Sequence, residues 1–233
     1  MRYRALACDY DGTLASGGRV DETTLAALER VRASGRALIL VTGRQAPDLA
    51  ALLPRLDLFD RIVAENGAVL FRPADGRERM LAAPAPPALV QLLERRAVAP
   101  LSVGRCIVAT DLPRRAALLE AVRELGLDLR LILNKGAVMA LPAGVDKASG
   151  LDAALAELGL GARQCVGIGD AENDQAFLAR CGCAVAVANA VEPLKAQADL
   201  VTDGARGAGV TQLIERLLAD AIPACRSGVA TNA

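Results

Sequence analysis

Ala5-Leu6-Ala7-Cys8-Asp9-Tyr10-Asp11-Gly12-Thr13-Leu14 is the stretch on which the reading turns. A run of small apolar residues, Tyr3–Cys8 interrupted only by Arg4, leads straight into two aspartates one residue apart and then a glycine. Near-continuous apolar runs of this length belong to strands covered on both faces, as in a parallel α/β sheet. In such sheets ligands bind beyond the carboxyl ends of the strands. Carboxylates at i and i+2 there point to the same side. That pairing suits a hard, oxygen-seeking cation such as Mg²⁺, which takes one or two protein carboxylates and fills its shell with water and substrate oxygens. Gly12 lets the backbone turn sharply beside a ligand. Taken alone, the same letters also describe an Asx-rich turn after a strand.

The pattern repeats along the chain. Ala37–Val41, Arg61–Ala64, Gln164–Ile168, Cys183–Val187 and Leu200–Thr202 read as further apolar strands, separated by helical periodicity. The first helix starts near the N-cap Asp21 and ends at Gly35, with Leu25, Leu28 and Val31 on one face. Leu151, Leu155 and Leu158 mark a later helix closed by Gly159, and Val210, Leu213, Ile214, Leu217 and Leu218 form an apolar stripe near the end. From about Ile222 no periodicity remains, and a loose tail is expected. Strands alternating with helices predict a Rossmann-like, three-layer α/β core around a parallel sheet.

Residues 84–142 break that rhythm. After the Pro-rich step Ala83-Pro84-Ala85-Pro86-Pro87 comes a helix over 88–97, then a strand pair (101–103 and 105–109) turning at Gly104. A second helix spans 113–125, and a second pair (129–133 and 137–141) turns at Asn134-Lys135-Gly136. An αββαββ block of hairpins fits poorly inside a parallel sheet, so it is expected to form an inserted α+β domain. The core is then 1–83 with 143–233. The Pro and Gly residues at both crossings, APAPP and Leu141-Pro142-Ala143-Gly144, predict hinges.

Composition removes many chemistries. The chain has 233 residues and no histidine, so Ser-His-Asp triads, Cys-His pairs and His-ligated zinc are excluded. Acid–base and metal work must fall to carboxylates, Lys, Cys or Tyr. The six cysteines show no CxxC spacing and are expected as buried, reduced thiols. With 27 basic and 27 acidic residues, no overall charge recommends a nucleic acid or an anionic membrane. No apolar run approaches the ~20 residues of a membrane helix, and the opening Met1–Tyr10 does not read as a signal peptide. A cytoplasmic protein is expected.

Three further motifs stand at strand ends or on a helix opening at that edge. Thr42-Gly43-Arg44 offers a hydroxyl and a sterically open N–H where phosphate could sit, or an ordinary helix cap. Lys147 opens the helix bearing Leu151. A cation there opposes the helix dipole, so it is either a tolerated surface lysine or a buried one screening carboxylates. Gly167-Ile168-Gly169-Asp170-Ala171-Glu172-Asn173-Asp174 places Asp170 at a strand end and Asp174 four residues on. Acids at a helix N-terminus are unremarkable singly. Together the four motifs can converge on one crevice, with the acids, the Lys and the Thr-Gly seat that Mg²⁺-assisted phosphoryl transfer needs.

The order DxDGT, TGR, Lys, GDxxND resembles the four motifs of the haloacid dehalogenase superfamily of phosphohydrolases. The position and αββαββ pattern of the insert resemble the type IIB (Cof-like) branch, as do Asn66-Gly67-Ala68 and Val187-Ala188-Asn189-Ala190. The short cap is similar to that of small, phosphoglycolate-phosphatase-like members. The likeness spans nearly the whole chain, to about residue 218. It implies that Asp9 is a nucleophile forming an aspartyl phosphate and that Asp11 is the general acid and base. It further implies Mg²⁺ held by Asp9, the Asp11 carbonyl and Asp170, with Asp174 in or just outside the first shell. Thr42, Gly43, Lys147 and Asn173 would hold phosphoryl oxygens of a small phosphorylated metabolite. Arg44 either touches substrate or pairs with a neighbouring acid. Arg105, Asn134 and Lys135 are candidate specificity contacts in the cap. A phosphomutase of related architecture and a catalytically silent phospholigand-binding domain remain as alternatives, and oligomeric state is not legible.

Overall fold

The computed structural model describes residues 2–134 and 136–225. In chain order the elements are β1 (Ala5–Asp9), α1 (Glu22–Ala33), β2 (Ala37–Val41), α2 (Ala46–Leu52), β3 (Arg61–Ala64), β4 (Val69–Arg72) and β5 (Arg77–Met80). Then come α3 (Pro87–Arg95), β6 (Leu101–Val103), β7 (Val108–Asp111), α4 (Arg115–Glu124), β8 (Leu129–Asn134) and β9 (Ala137–Pro142). The chain continues with α5 (Lys147–Glu157), β10 (Cys165–Gly169), α6 (Gln175–Arg180), β11 (Cys183–Ala186), α7 (Glu192–Gln197), β12 (Leu200–Val201) and α8 (Arg206–Leu218).

The larger sheet has the order β12-β11-β10-β1-β2-β3-β4-β5. From β12 to β3 every pairing is parallel, and every residue of β1, the central strand, is buried. Burial on both faces is what the apolar runs require. Helices α1 and α8 pack on one another, as do α5 and α6, completing a three-layer α/β core. Asp21 caps α1, its carboxylate accepting from the Thr24 amide at 2.8 Å.

β4 and β5 extend the sheet antiparallel, so it is mixed rather than purely parallel. The hairpin escaped the pattern because β5, Arg77-Glu78-Arg79-Met80, is exposed throughout and has no apolar face to alternate. A charged, exposed edge strand is also what keeps a sheet edge from pairing with another chain.

The αββαββ block folds as a separate four-stranded antiparallel sheet, order β6-β7-β9-β8. Its side chains alternate as a half-covered sheet demands. Leu129, Leu131, Val138, Ala140 and Val108 join the cluster formed with α3 and α4. Ile132, Met139, Leu141 and Ala109 lie in a second, smaller cluster on the other face.

Two expectations need correcting. Cys183 and Cys225 form a disulfide, so only Cys8, Cys106, Cys165 and Cys181 are free, buried thiols. The stretch after α8 is also anchored where it is described. Ile222 is buried, and the Tyr3 hydroxyl donates to the Pro223 carbonyl at 3.2 Å. Periodicity reports only which face of an element is covered, so neither a cross-link nor a single anchoring residue registers in it. Among the described residues no helix is long and apolar enough to cross a membrane.

Candidate functional site

Parallel order sets the geometry first. Because β1 lies between β2 and β10, their carboxyl ends are neighbours, and each ends on a residue singled out by its chemistry. Asp9 closes β1, Thr42 follows β2, and Asp170 follows β10. Gly12, with φ +87°, folds the chain back so that the Thr13 hydroxyl donates to Asp170 Oδ1 at 3.3 Å. Asn189, beyond β11, donates to the Gly12 carbonyl at 2.9 Å and reaches Asp170 Oδ2 at 3.5 Å. Its own carbonyl oxygen accepts from the Arg206 amide, which ties this loop to the start of α8.

Lys147 is no surface lysine. Its side chain is 1% exposed, and Nζ donates to Asp9 Oδ1 and Asp174 Oδ1, both at 2.6 Å. A capping box sets the start of α5: Asp146 Oδ1 accepts from the Ser149 amide at 2.9 Å, and Ser149 Oγ accepts from the Asp146 amide at 3.1 Å. Gly67, at φ +105°, lets the turn after β3 press on this helix start, and a Cβ there would run into the Asp146 carbonyl. The helix dipole's small penalty for a cation is outweighed by two charge-assisted hydrogen bonds.

Asp174 faces Lys147 with one oxygen and the backbone with the other. Its Oδ2 accepts from the amides of Asp170 and Ala171, each at 2.9 Å. This carboxylate therefore shapes the loop that presents Asp170. One oxygen of each of Asp9, Asp170 and Asp174 lies within 4.8 Å of the others, and all three residues are buried. Three carboxylates against one ammonium leave an excess of negative charge in a dry place, which is costly without a counter-charge. The residues register the excess. Burial and the neighbouring Asp174 push the Asp9 carboxyl up to about 7, against the pull of Lys147. Burial alone would lower the Lys147 ammonium, but Asp174 and Asp9 outweigh it and hold it above its ordinary value. An all-oxygen, anionic cluster of this kind fits a hard divalent cation.

Asp11 points away from that cluster, to Arg44. The guanidinium grips it with both forks, Nε to Oδ2 at 2.7 Å and Nη2 to Oδ1 at 2.8 Å, and lies 5.6 Å from the Tyr10 ring centroid. Of the two roles open to Arg44, the structure shows the pairing with an acid. Thr42 is buried, and its Oγ1 accepts from the Arg44 amide at 3.1 Å. Gly43 faces the Asn66 side chain, which a Cβ would meet at 3.2 Å. Asn173 donates to Asn66 Oδ1 at 3.1 Å.

Asn66 and Glu65, both left-handed at φ +53° and +51°, join the two sheets. Asn66 Nδ2 reaches Met139 Sδ of β9 at 2.8 Å. The buried Glu65 carboxylate accepts from the amides of Arg105, Cys106 and Ile107 in the β6–β7 turn, at 2.8, 2.8 and 3.2 Å. Neither role is legible beforehand. Asn-Gly after a strand signals only a turn, and a buried Glu bonded to backbone amides has no sequence pattern. Thr13 and Asn189 stand in stretches that carry the resemblance, but their contacts to Asp170 are not legible there.

A cavity of about 810 Å³ opens between the sheets, lined among others by Lys147, Asn66, Asn173, Asp146 and, from β8, Arg130. Arg105 does not line it. That side chain sits in a separate gap, its Nε 3.2 Å from Glu78. Lys135 lies outside the described residues, and of Asn134 only the backbone is described. Arg130 is not legible in the sequence, because one charged residue in an apolar strand carries no motif.

The chain is similar to known proteins over most of its length. The family model for haloacid dehalogenase-like hydrolases matches residues 6–93 and 110–214. A phosphoglycolate phosphatase of Methanothermobacter thermautotrophicus is 30% identical over 221 residues, covering 92% of this chain and 99% of its own. One from Halorubrum lacusprofundi is 34% identical over 207 residues, covering 84% and 89%. Among solved structures, a haloacid dehalogenase-like hydrolase from Bacteroides thetaiotaomicron superposes with a TM-score of 0.79 at 20% identity, covering 92% of this chain and 99% of its own.

Proposed function

The chain belongs to the haloacid dehalogenase-like hydrolases, and from that premise we propose that it hydrolyses a small phosphomonoester with Asp9 as the attacking group. The observation that carries the reading is the enclosure of Asp9 at the end of β1. There it is held by Lys147 and clustered with Asp170 and Asp174. An Asp9 oxygen bonds to phosphorus as the ester P–O bond breaks, and Asp11 gives the departing alkoxide its proton. Water then attacks the aspartyl phosphate, its proton passing to Asp11, and inorganic phosphate leaves with Asp9 restored. Asp11, held by Arg44 through both oxygens in this structure, exchanges that partner for the leaving-group oxygen in the first step. Thr42, the Gly43 amide, Lys147 and Asn173 hold phosphoryl oxygens.

Mg²⁺ is the cation proposed, held by Asp9, the Asp11 carbonyl and Asp170. When bound it supplies positive charge to the phosphoryl group and to the carboxylates around it. Asp174 stands behind that set, since both of its oxygens already serve Lys147 and the 170–171 amides. We also read residues 84–142 as a cap on a core of 1–83 and 143–233, closing over the leaving group and shedding water. Phosphoglycolate is the first substrate to try, because relatives matching 92% and 84% of this chain carry that name.

The test is phosphate release from a panel of small metabolite phosphates, with EDTA and then with Mg²⁺ restored. Turnover should stop in chelator and return with the ion, with phosphoglycolate among the preferred esters. Unchanged turnover in chelator would remove the metal from the account.

A further inference from the structure

We infer that Arg130 selects the substrate by binding a carboxylate on the leaving group, in the cavity it lines together with Lys147 and Asn173. This rests on the phosphatase reading above and adds to it a residue and a ligand chemistry.

Position is the first argument. β8 alternates, and Leu129 and Leu131 belong to the cluster under α3 and α4, while Ile132 belongs to the opposite face. Arg130 shares that opposite face by register, and it lines the cavity together with Lys147, Asn66 and Asn173. Among the described residues of β6, β7, β8 and β9 it is the only basic side chain. The strand also runs beside the 172–174 turn that carries Asn173. The core thus gives the cavity Lys147, Asn66 and Asn173, and β8 gives it a single guanidinium.

Availability is the second. Lys147 is spent on Asp9 and Asp174, so it has no reach for a distant anion. Arg130 is anchored without being used up. One Nη2 hydrogen goes to the Val145 carbonyl at 2.6 Å, and Asp146 Oδ2 lies 3.5 Å away. Asp146 itself is committed to the α5 cap through its other oxygen. The side chain remains 44% exposed, leaving further N–H groups of the fork to face the cavity. A planar carboxylate matches that fork two bonds at a time. With Glu172 and Asp146 also on the lining, a second phosphate dianion would meet more repulsion than a singly charged group. The anchor carbonyl is two residues before Lys147, so the reader of the leaving group and the phosphoryl-holding lysine share one short segment.

The test compares 2-phosphoglycolate with ethyl phosphate, which has a methyl where the former has a carboxylate. Wild type, Arg130→Gln and Arg130→Lys are assayed on both esters, with melting curves as folding controls. Arg130→Gln should lose about 10- to 100-fold in kcat/KM on phosphoglycolate, chiefly through KM, and change less than about threefold on ethyl phosphate. Arg130→Lys should fall between, because it keeps the charge without the fork. An equal loss on both esters would make Arg130 a structural anchor of the 145–147 segment and overturn the inference. So would an unchanged preference ratio, or a wild type indifferent to the carboxylate. A wild type releasing phosphate from neither these esters nor the wider panel would instead defeat the phosphatase reading, and this inference with it.

Discussion

Asp9 is buried with a carboxylate on one side and an ammonium on the other, and its carboxyl, pushed up by burial, reflects that balance. Its folded value of about 7 stands above the ordinary 3.8, so the folded protein holds a proton there that the unfolded chain gives up. A raised carboxyl costs stability as pH climbs from about 4 to about 7, and the full cost is present above 7. Replacing it by a neutral isostere removes the cost. In EDTA, Asp9→Asn should therefore melt about 5 °C above wild type at pH 8, with the gap closing towards pH 4. Added Mg²⁺ should narrow the gap at pH 8 by stabilising wild type more. A variant melting at or below wild type at pH 8 in chelator would show that the charge excess is not felt at Asp9. The acids, Lys147 and the Thr-Gly pair were legible at this scale because each ends a strand or opens a helix. The roles of Glu65, Asn66, Asn189 and Arg130 were not, since each acts through partners 15 to 177 residues away that no local pattern announces.

Among elements, α5 matters most, because its first residue is Lys147. The Asp146–Ser149 capping box sets where the helix begins, and the turn at Gly67 sets how closely the β3 end approaches it. The left-handed backbone at Gly67 and the Asp146 carbonyl in the way of a Cβ act together there. Gly67→Ala is predicted to cost about 2–4 kcal/mol and to depress kcat, since the helix start must shift and carry the lysine with it. Urea unfolding and steady-state kinetics on one preparation check both. Wild-type stability and kcat would mean that the turn does not fix Lys147. The helix itself was readable from Leu151, Leu155 and Gly159, as were the parallel strands from their apolar runs. The β4–β5 hairpin was not, because Arg77–Met80 is held by edge pairing rather than by an apolar face.

For the whole molecule, the order of strands is what gathers distant residues, and two devices secure it beyond sheet pairing. Glu65 ties the smaller sheet to the core through three backbone amides. The Cys183–Cys225 disulfide closes a loop with a sequence separation of 42, pinning the chain after α8 to β11. Chain-entropy reasoning gives that link about 4 kcal/mol at most. Cys225→Ser should lower the unfolding free energy measured under oxidising conditions and match wild type under reducing ones. Equal stability in both conditions would show that the link does not form in solution. Most strands and helices of both sheets, and their order along the chain, were legible because alternation and apolar runs are properties of elements. The disulfide and the Glu65 tie were not, because they join elements that the sequence does not yet place side by side. The convergence of these segments on one reactive carboxylate is the central claim, and turnover by purified Asp9→Asn tests it most directly. On whichever ester wild type prefers, with saturating Mg²⁺ and an intact melting transition, the variant should retain less than about 10⁻³ of wild-type kcat. A rate within tenfold of wild type would contradict attack by Asp9.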